Sequence, residues 1–212
     1  MMPPTATAED AGKPLPASWG AGTAAHAAVG KGFVEMDHTV SINAAHFAKK
    51  SDKGGAKWAV MPELGISGGG SVEYGAPGLL GNRGIGAVKN KTWVEYKFST
   101  VSSGDAVLTI HLLPTFAVDS QHRLRYAVAV DGGAPVEMDA SGSGEWKENS
   151  APTWEVNVLR NSATAKVPLA GLKAGKHTVR LLYRDPGVVF EHLVLTFDGA
   201  PPAYPVPPET VR

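Results

Sequence analysis

Between about residues 32 and 199, hydrophobic and polar positions alternate with period two, and Gly, Pro, Asp or Ser breaks the pattern every ten residues or so. In WVEYKF (93–98), Val94, Tyr96 and Phe98 share a face, while Trp93, Glu95 and Lys97 take the other. In VLTIHLL (107–113), Leu108, Ile110 and Leu112 do the same. Both read as half-buried strands. LRYAVAV (124–130) aligns Leu124, Tyr126, Val128 and Val130, then meets DGG, a tight-turn signal into PVEM that predicts a hairpin. HTVRLLYR (177–184) places Val179, Leu181 and Tyr183 together, and VVFEHLVLTF (188–197) is apolar on both faces, as a central strand is. VSINAAHF (40–47) alternates as well, with Asn43 and His46 at polar positions, and TWEVNV (153–158) places Trp154, Val156 and Val158 on one strand face. No segment of useful length shows a 3.6-residue period, so the prediction is an all-β chain, a β-sandwich or jelly roll. The glycine-rich GISGGGSVEYGAPG (65–78) reads as a long surface loop, because no helix follows to present amides to an anion.

Composition changes this picture mainly at the ends. Residues 1–31 are rich in Ala, Pro, Gly and Thr and read as a flexible linker or arm; 200–212 reads as a proline-rich tail unable to form a helix or a central strand. The globular part is placed at 32–199. With 212 residues and 43% hydrophobic positions, one domain with a sizeable core is expected. Lys plus Arg and Asp plus Glu are 20 each, so no basic field gathers nucleic acid or anionic lipid. No run approaches the ~18 apolar residues of a membrane span, and the Met-Met-Pro-Pro start does not read as an export signal. Neither nucleic acid nor membrane is expected as a partner. Cysteine is absent, which excludes disulfides and thiolate metal sites.

Catalytic motifs are sparse. HExxH, GxSxG, GxGxxG after a strand and GxxxxGK[ST] do not occur. Histidines stand at positions 26, 38, 46, 111, 122, 177 and 192 without paired ligand spacing. Carboxylates abound, but a glycosidase pair is defined by a separation in space that sequence does not supply. Hydrolysis therefore has no positive support from the residues.

The succession WAVMPELGISGGGSV, LLPTFAVDSQHRLRYAVAVDGGAPV, the segment from Trp154 through AGKHTVRLLYRDPGVVFEHLVLTFDG, and PPAYPVPPET resembles the C-terminal domain of glycoside hydrolase family 115, the xylan α-glucuronidases. The resemblance covers roughly residues 33–209. It implies a galactose-binding-domain-like β-sandwich, similar in plan to carbohydrate-binding module families 6 and 35, appended to a catalytic barrel that this chain does not contain. It further implies a non-catalytic accessory domain recognising xylan, glucuronoxylan or a related plant polysaccharide. Its partners would be plant cell-wall polysaccharide and a parent catalytic domain, in a secreted or periplasmic bacterial enzyme. Where the family reads close to SIEAEHF, this chain has SINAAHF. In similar binding modules such strand carboxylates help to hold a structural calcium; here Asn43 and Ala45 stand in their place, so the site is expected to be absent or much weakened, with Asp37 and Asp198 as residual ligand candidates. No cofactor is expected, and His46 is read as bracing the strand.

A sugar ligand calls for an aromatic platform beside planar polar groups, because a pyranose has an apolar C–H face and a rim of hydroxyls. Trp58, Trp93 and Trp154 read as core residues, whereas Trp146 lies in the polar stretch SGSGEWKENS beside Glu145, Lys147 and Asn149. Tyr74, Asn82 and Arg83 occupy the other long loop, and His122 and Arg123 the turn before the 124 strand. A uronic acid would favour an Arg partner. Whether these loops meet is left open by the sequence. The favoured reading is a carbohydrate-binding domain. The alternative is a structural or dimerisation domain of a multidomain glycoside hydrolase or esterase without glycan binding, and an independent hydrolase comes third.

Overall fold

A computed structural model of the chain describes residues 32–52, 57–66, 70–74, 90–117, 123–141 and 152–210. The predicted arm at 1–31 lies outside them. The described strands are β1 (Phe33–Val34), β2 (Thr39–Asn43), β3 (Lys49–Ser51), β4 (Trp58–Met61), β5 (Ser71–Tyr74), β6 (Trp93–Thr100), β7 (Gly104–Leu112), β8 (Arg125–Val130), β9 (Val136–Asp139), β10 (Ala163–Leu172), β11 (Gly175–Tyr183) and β12 (Val189–Phe197), with one helix, α1 (Pro152–Leu159). They form a β-sandwich. One sheet runs β1-β6-β11-β8-β9, with β3 also on β6; the other runs β10-β7-β12-β5-β4, with β2 also on β12. Every pairing is antiparallel except β1 on β6.

The period-two reading gives the inner faces. Val94, Tyr96, Phe98, Tyr126, Val128, Val179 and Leu181 from the first sheet join Leu108, Ile110, Leu112, Leu193, Leu195 and Phe197 from the second in one buried cluster. Each such side chain taken from water contributes about 1.5–3 kcal/mol. β12 is buried along almost its whole length, as apolar residues on both its faces predict, and Glu191 and His192 are buried with them. Tyr126 packs edge-on to Phe190 at 5.1 Å, tying the two sheets together. At the predicted hairpin, Asp131 (φ 50°) and Gly132 (φ 73°) both take the left-handed conformation and the N–H of Gly133 donates to the Val130 carbonyl at 2.8 Å. Two positive φ angles match the twist of the flanking strands, which is why Asp-Gly closes the turn.

Four expectations change. Ser71–Tyr74, read as part of a surface loop, is strand β5, with Ser71 and Val72 fully buried. Gly65 permits this path: at φ 108° it approaches the buried Glu191 so closely that a Cβ would sit 2.8 Å from that side chain, and the N–H of Ile66 donates to the Glu191 carboxylate. Residues 153–158, read as a strand, lie in the helix Pro152–Leu159. Proline is preset for the first helical turn, Asn161 ends the element in the left-handed region (φ 52°), and no residue of the helix is fully buried, so alternation there marked no buried face. The strand in VSINAAHF stops at Asn43, whose side chain accepts the N–H of Ala45 at 2.9 Å and starts a 3-10 turn, Ala44–His46. Asn43 and Ala45 therefore do not share a strand face, and the i, i+2 geometry assumed for ligands is not present.

The fourth change concerns the proline-rich segment. It forms no strand, yet it folds back along the free edge of β2 and over the outer face of the second sheet. The N–H of Thr210 donates to Ser41 at 2.9 Å, the N–H of Asn43 donates to the Glu209 carboxylate at 3.0 Å, and the Ser41 hydroxyl donates to the Pro207 carbonyl at 2.8 Å. Prolines cannot propagate a ladder, so this strap covers the edge without offering a new one. It also buries His192, whose Nε2 lies 2.6 Å from the Ser41 hydroxyl oxygen. Burial, reinforced by His111 and His46, pulls the His192 imidazole down to about 3, and burial pulls that of His111 to about 4.

Candidate functional site: one end of the sandwich

The strand registers decide where the long connecting segments attach. In the second sheet Glu73 opposes Val189, and Leu112 opposes both Phe190 and Ala163. In the first, Leu182 opposes Trp93, Tyr183 opposes Tyr126, and Tyr126 opposes Met138. The ends of β5, β7, β9 and β11 and the starts of β6, β8, β10 and β12 thus lie at one end of the sandwich. Segments 75–89, 118–122 and 142–151 all attach to the described chain there.

The described residues of this end carry arginines paired with carboxylates. Asp185, in the β11–β12 turn, is 1% exposed. It accepts Nε and Nη2 of Arg125 at 2.6 and 2.9 Å and the backbone N–H groups of Arg123 and Arg125 at 3.2 and 3.1 Å. That bonding holds the Arg125 guanidinium further into its charged form, outweighing partial desolvation. Arg123 pairs with Asp139 at 2.6 Å. Arg184, itself nearly buried, donates to Glu137 at 2.8 Å and to Asn90 at 2.7 Å. On the outer face of the first sheet, Arg180 pairs with Glu95 and lies 4.2 Å from the Trp93 ring centroid. Trp93, expected in the core, is half-buried there beside Ala127, Ala129 and Leu182.

On the connections at this end, the partly exposed aromatic rings include Trp154 and Phe116. Trp154, expected as a buried strand residue, sits half-exposed on α1. Its Nε1–H donates to the Pro114 carbonyl at 2.9 Å, and its ring meets Phe116 edge-on at 5.3 Å and 82°. Phe116 is 37% exposed. The neighbouring Thr115 hydroxyl donates to the Gly187 carbonyl at 2.6 Å, so the aromatic pair and the Arg125–Asp185 pair flank the same turn. An aromatic face beside hydrogen-bond donors is the combination a sugar ring requires.

Of the residues singled out from sequence, Arg123 lies in this site and Tyr74 ends β5 at its rim, opposite Trp58 in register. Asn82, Arg83, His122, Glu145, Trp146 and Asn149 fall outside the described residues, although the segments carrying them attach at this end. Sequence reasoning missed Arg125, Asp185, Phe116 and Trp154. The dipeptide Arg184-Asp185 before Pro-Gly was a usable signal, being a charged pair in a turn that joins two buried strands.

The calcium candidates do not converge. Asp37 precedes β2 and Asn43 ends it, a span of about 20 Å at ~3.3 Å per residue. Asp37 and Asp198 are exposed near the first end of β2, where the N–H of Phe197 donates to His38, while the Asn43 side chain is engaged with Ala45 at the other. Among the described residues no group of three or more His, Asp or Glu could hold a metal ion. His46, read as a brace, pairs with Glu209 at 2.7 Å and so fastens the strap.

Compared with known proteins, residues 32–209 match the family described as the glycosyl hydrolase family 115 C-terminal domain. No curated protein matches the chain. Among solved structures, a family GH115 4-O-methyl-α-glucuronidase with specificity for decorated arabinogalactans aligns at 24% identity and TM-score 0.52, covering 73% of this chain and 17% of that one. The chain thus spans about a sixth of that enzyme. The C-terminal CBM6 of a marine laminarinase from Zobellia galactanivorans aligns at 19% identity and TM-score 0.46, covering 75% of this chain and 99% of that one. A family 35 carbohydrate binding module from Clostridium thermocellum aligns at 13% and 0.43, with coverage of 74% and 98%.

Proposed function

The chain belongs to the glycosyl hydrolase family 115 C-terminal domain family, and on that premise we propose that it is a glycan-binding accessory domain whose binding face is the loop end of the sandwich. The observation that carries this reading is the attachment of all three long segments, with Trp154, Phe116 and Arg125, at one end of a rigid two-sheet body. Binding groups carried on loops above a rigid scaffold are a common solution to recognition. The ligand class is plant cell-wall polysaccharide, with xylan or glucuronoxylan first among candidates. Catalysis belongs to the other parts of a parent enzyme that works outside the cytoplasm. Affinity electrophoresis of the chain through gels containing xylan, glucuronoxylan, arabinogalactan, cellulose, pectin and mannan tests this. Retardation by at least one polymer supports it, and unretarded migration in all of them rejects it.

One observation favours a second reading, a docking or dimerisation domain. Val156 and Val158 are each 42% exposed and Leu159 is 87% exposed, so α1 presents apolar surface to its surroundings. Sedimentation equilibrium distinguishes the two: self-association abolished by Leu159→Glu, in a chain that no polymer retards, selects docking.

A further inference from the structure

The arginines of the loop end invite the expectation that the domain selects uronic acids, and their pairing argues against it. Asp185 holds Arg125 through two hydrogen bonds and is itself fixed by two backbone N–H groups from almost complete burial. It cannot swing away to release the guanidinium, and an arriving carboxylate would compete with a resident one of the same charge. Arg123 is likewise held by Asp139, and Arg184 by Glu137. On the adjoining helix and the turn after it, exposed Glu155 and Arg160 are of opposite sign. Arg125 still offers donors, since its side chain is 47% exposed and its Nη1 makes no hydrogen bond among the described residues.

Trp154 supplies the complementary half. Its N–H is already spent on Pro114 and its ring is braced by Phe116, so what remains for a ligand is a rigid apolar face with little orientational freedom left to lose. We propose that the loop end takes a neutral pyranose chain, one ring stacked on Trp154 and its hydroxyl oxygens accepting from the outward N–H groups of Arg125, and that it gains nothing from a uronic acid substituent. This inference rests on the glycan-binding reading above and names its ligand class. A xylose, arabinose or galactose backbone fits it, whereas a glucuronate side chain is a bystander.

Calorimetry of the full chain tests it with xylotetraose, a galactan tetrasaccharide and a 4-O-methylglucuronosyl xylo-oligosaccharide of equal backbone length, at low and high salt. The expected result is that the acidic ligand binds within about threefold of its neutral counterpart, with little salt dependence because no net charge is neutralised. Trp154→Ala should weaken neutral binding by about tenfold or more, and Trp154→Phe, which keeps a ring, by only about threefold. Acidic ligand preferred by about tenfold with strong salt dependence overturns the proposal, as does undiminished binding by folded Trp154→Ala. Both outcomes leave the glycan-binding reading standing; no binding of any of the three ligands by the unmodified chain also overturns the proposal, and the glycan-binding reading falls with it only if none of the six polymers retards the chain. Should Trp154→Ala fail to fold, the acidic-against-neutral comparison and Trp154→Phe still decide.

Discussion

Asp185 holds the Arg125 guanidinium at 2.6 and 2.9 Å from a position with almost no solvent access. The pair joins the β11–β12 turn to the start of β8, so it pins the turn that crosses between the sheets to the first sheet. Asp185→Ala removes the acceptor for both guanidinium nitrogens and two backbone amides, and the expected cost is about 3 kcal/mol, within the range for breaking a buried pair. For a domain of this size that is a melting-point drop of roughly 6–12 °C, measurable by calorimetric melting. A drop below about 2 °C would show the network to be solvated and weak.

The tryptophans separate core from surface. Trp58 is 3% exposed with its ring 6.1 Å from Phe190, and Trp58→Ala should cost about 3–5 kcal/mol or prevent folding. Trp154→Ala loses one partly exposed ring and one hydrogen bond, an expected cost of about 1–2 kcal/mol that leaves a folded protein. Circular dichroism and melting of both variants check the order, and the reverse order would place Trp154 in the core.

The strap predicts an edge-dependent association. Deleting residues 200–212 uncovers the hydrogen-bonding edge of β2 and the His192 face. The truncated chain should melt lower and form dimers or aggregates through the open edge, as light scattering would report. A truncated chain that stays monodisperse with unchanged melting would make the strap a passive passenger.

His192 and His111 make stability depend on pH in a defined direction. Their folded values, about 3 and about 4, lie below the unfolded value of ~6.5, so the unfolded chain takes up protons first as pH falls. Stability from keeping them neutral is complete above ~6.5 and is lost progressively below it, by up to about 2 kcal/mol for each at pH 5. Denaturant midpoints at pH 7.5, 6 and 5 should fall in that order, and His192→Gln should flatten the fall. An unchanged midpoint down to pH 5 would mean that neither imidazole is held neutral.

Calcium should leave stability almost unchanged, because Asn43 and Asp37 lie at opposite ends of β2 and the Asn43 amide is used within the chain. A ligand at 100 times its dissociation constant adds about 2.7 kcal/mol, so a real site is easily seen. Melting with chelator and with excess calcium should coincide, and a shift of several degrees restored by calcium would reveal ligands beyond those considered.

The sheets were legible because their faces are set by a local rule: Val94, Tyr96 and Phe98, or Leu108, Ile110 and Leu112, repeat at the strand period and their burial follows. The same rule misled at 153–158, where alternation over six residues coincided with a helix that buries no face, and where Pro152 was the overriding signal. β5 was hidden by flanking glycines, whose purpose at Gly65 is a close approach to Glu191, a contact far away in sequence. Glu209 bonding to Asn43 and His46 was likewise beyond reach, since a strap without periodicity shows its docking only through tertiary partners. At the candidate site, aromatic and polar loop residues could be named one by one. Their common end of the sandwich follows only from strand order, and the pairing that neutralises Arg123 and Arg125 follows only from the fold.

The central claim, glycan binding at the loop end, is tested most directly by mapping amide chemical shifts of the full chain during titration with xylotetraose and, in parallel, a galactan tetrasaccharide. The account predicts perturbations gathered at Thr115–Ala117, Arg123–Arg125, Trp154 and Asp185–Val188, with silence at the opposite end, where Gly104 opposes Leu172 and Thr100 opposes Gly175. Perturbations centred on that opposite end or on the strap, or none with either sugar, would contradict it.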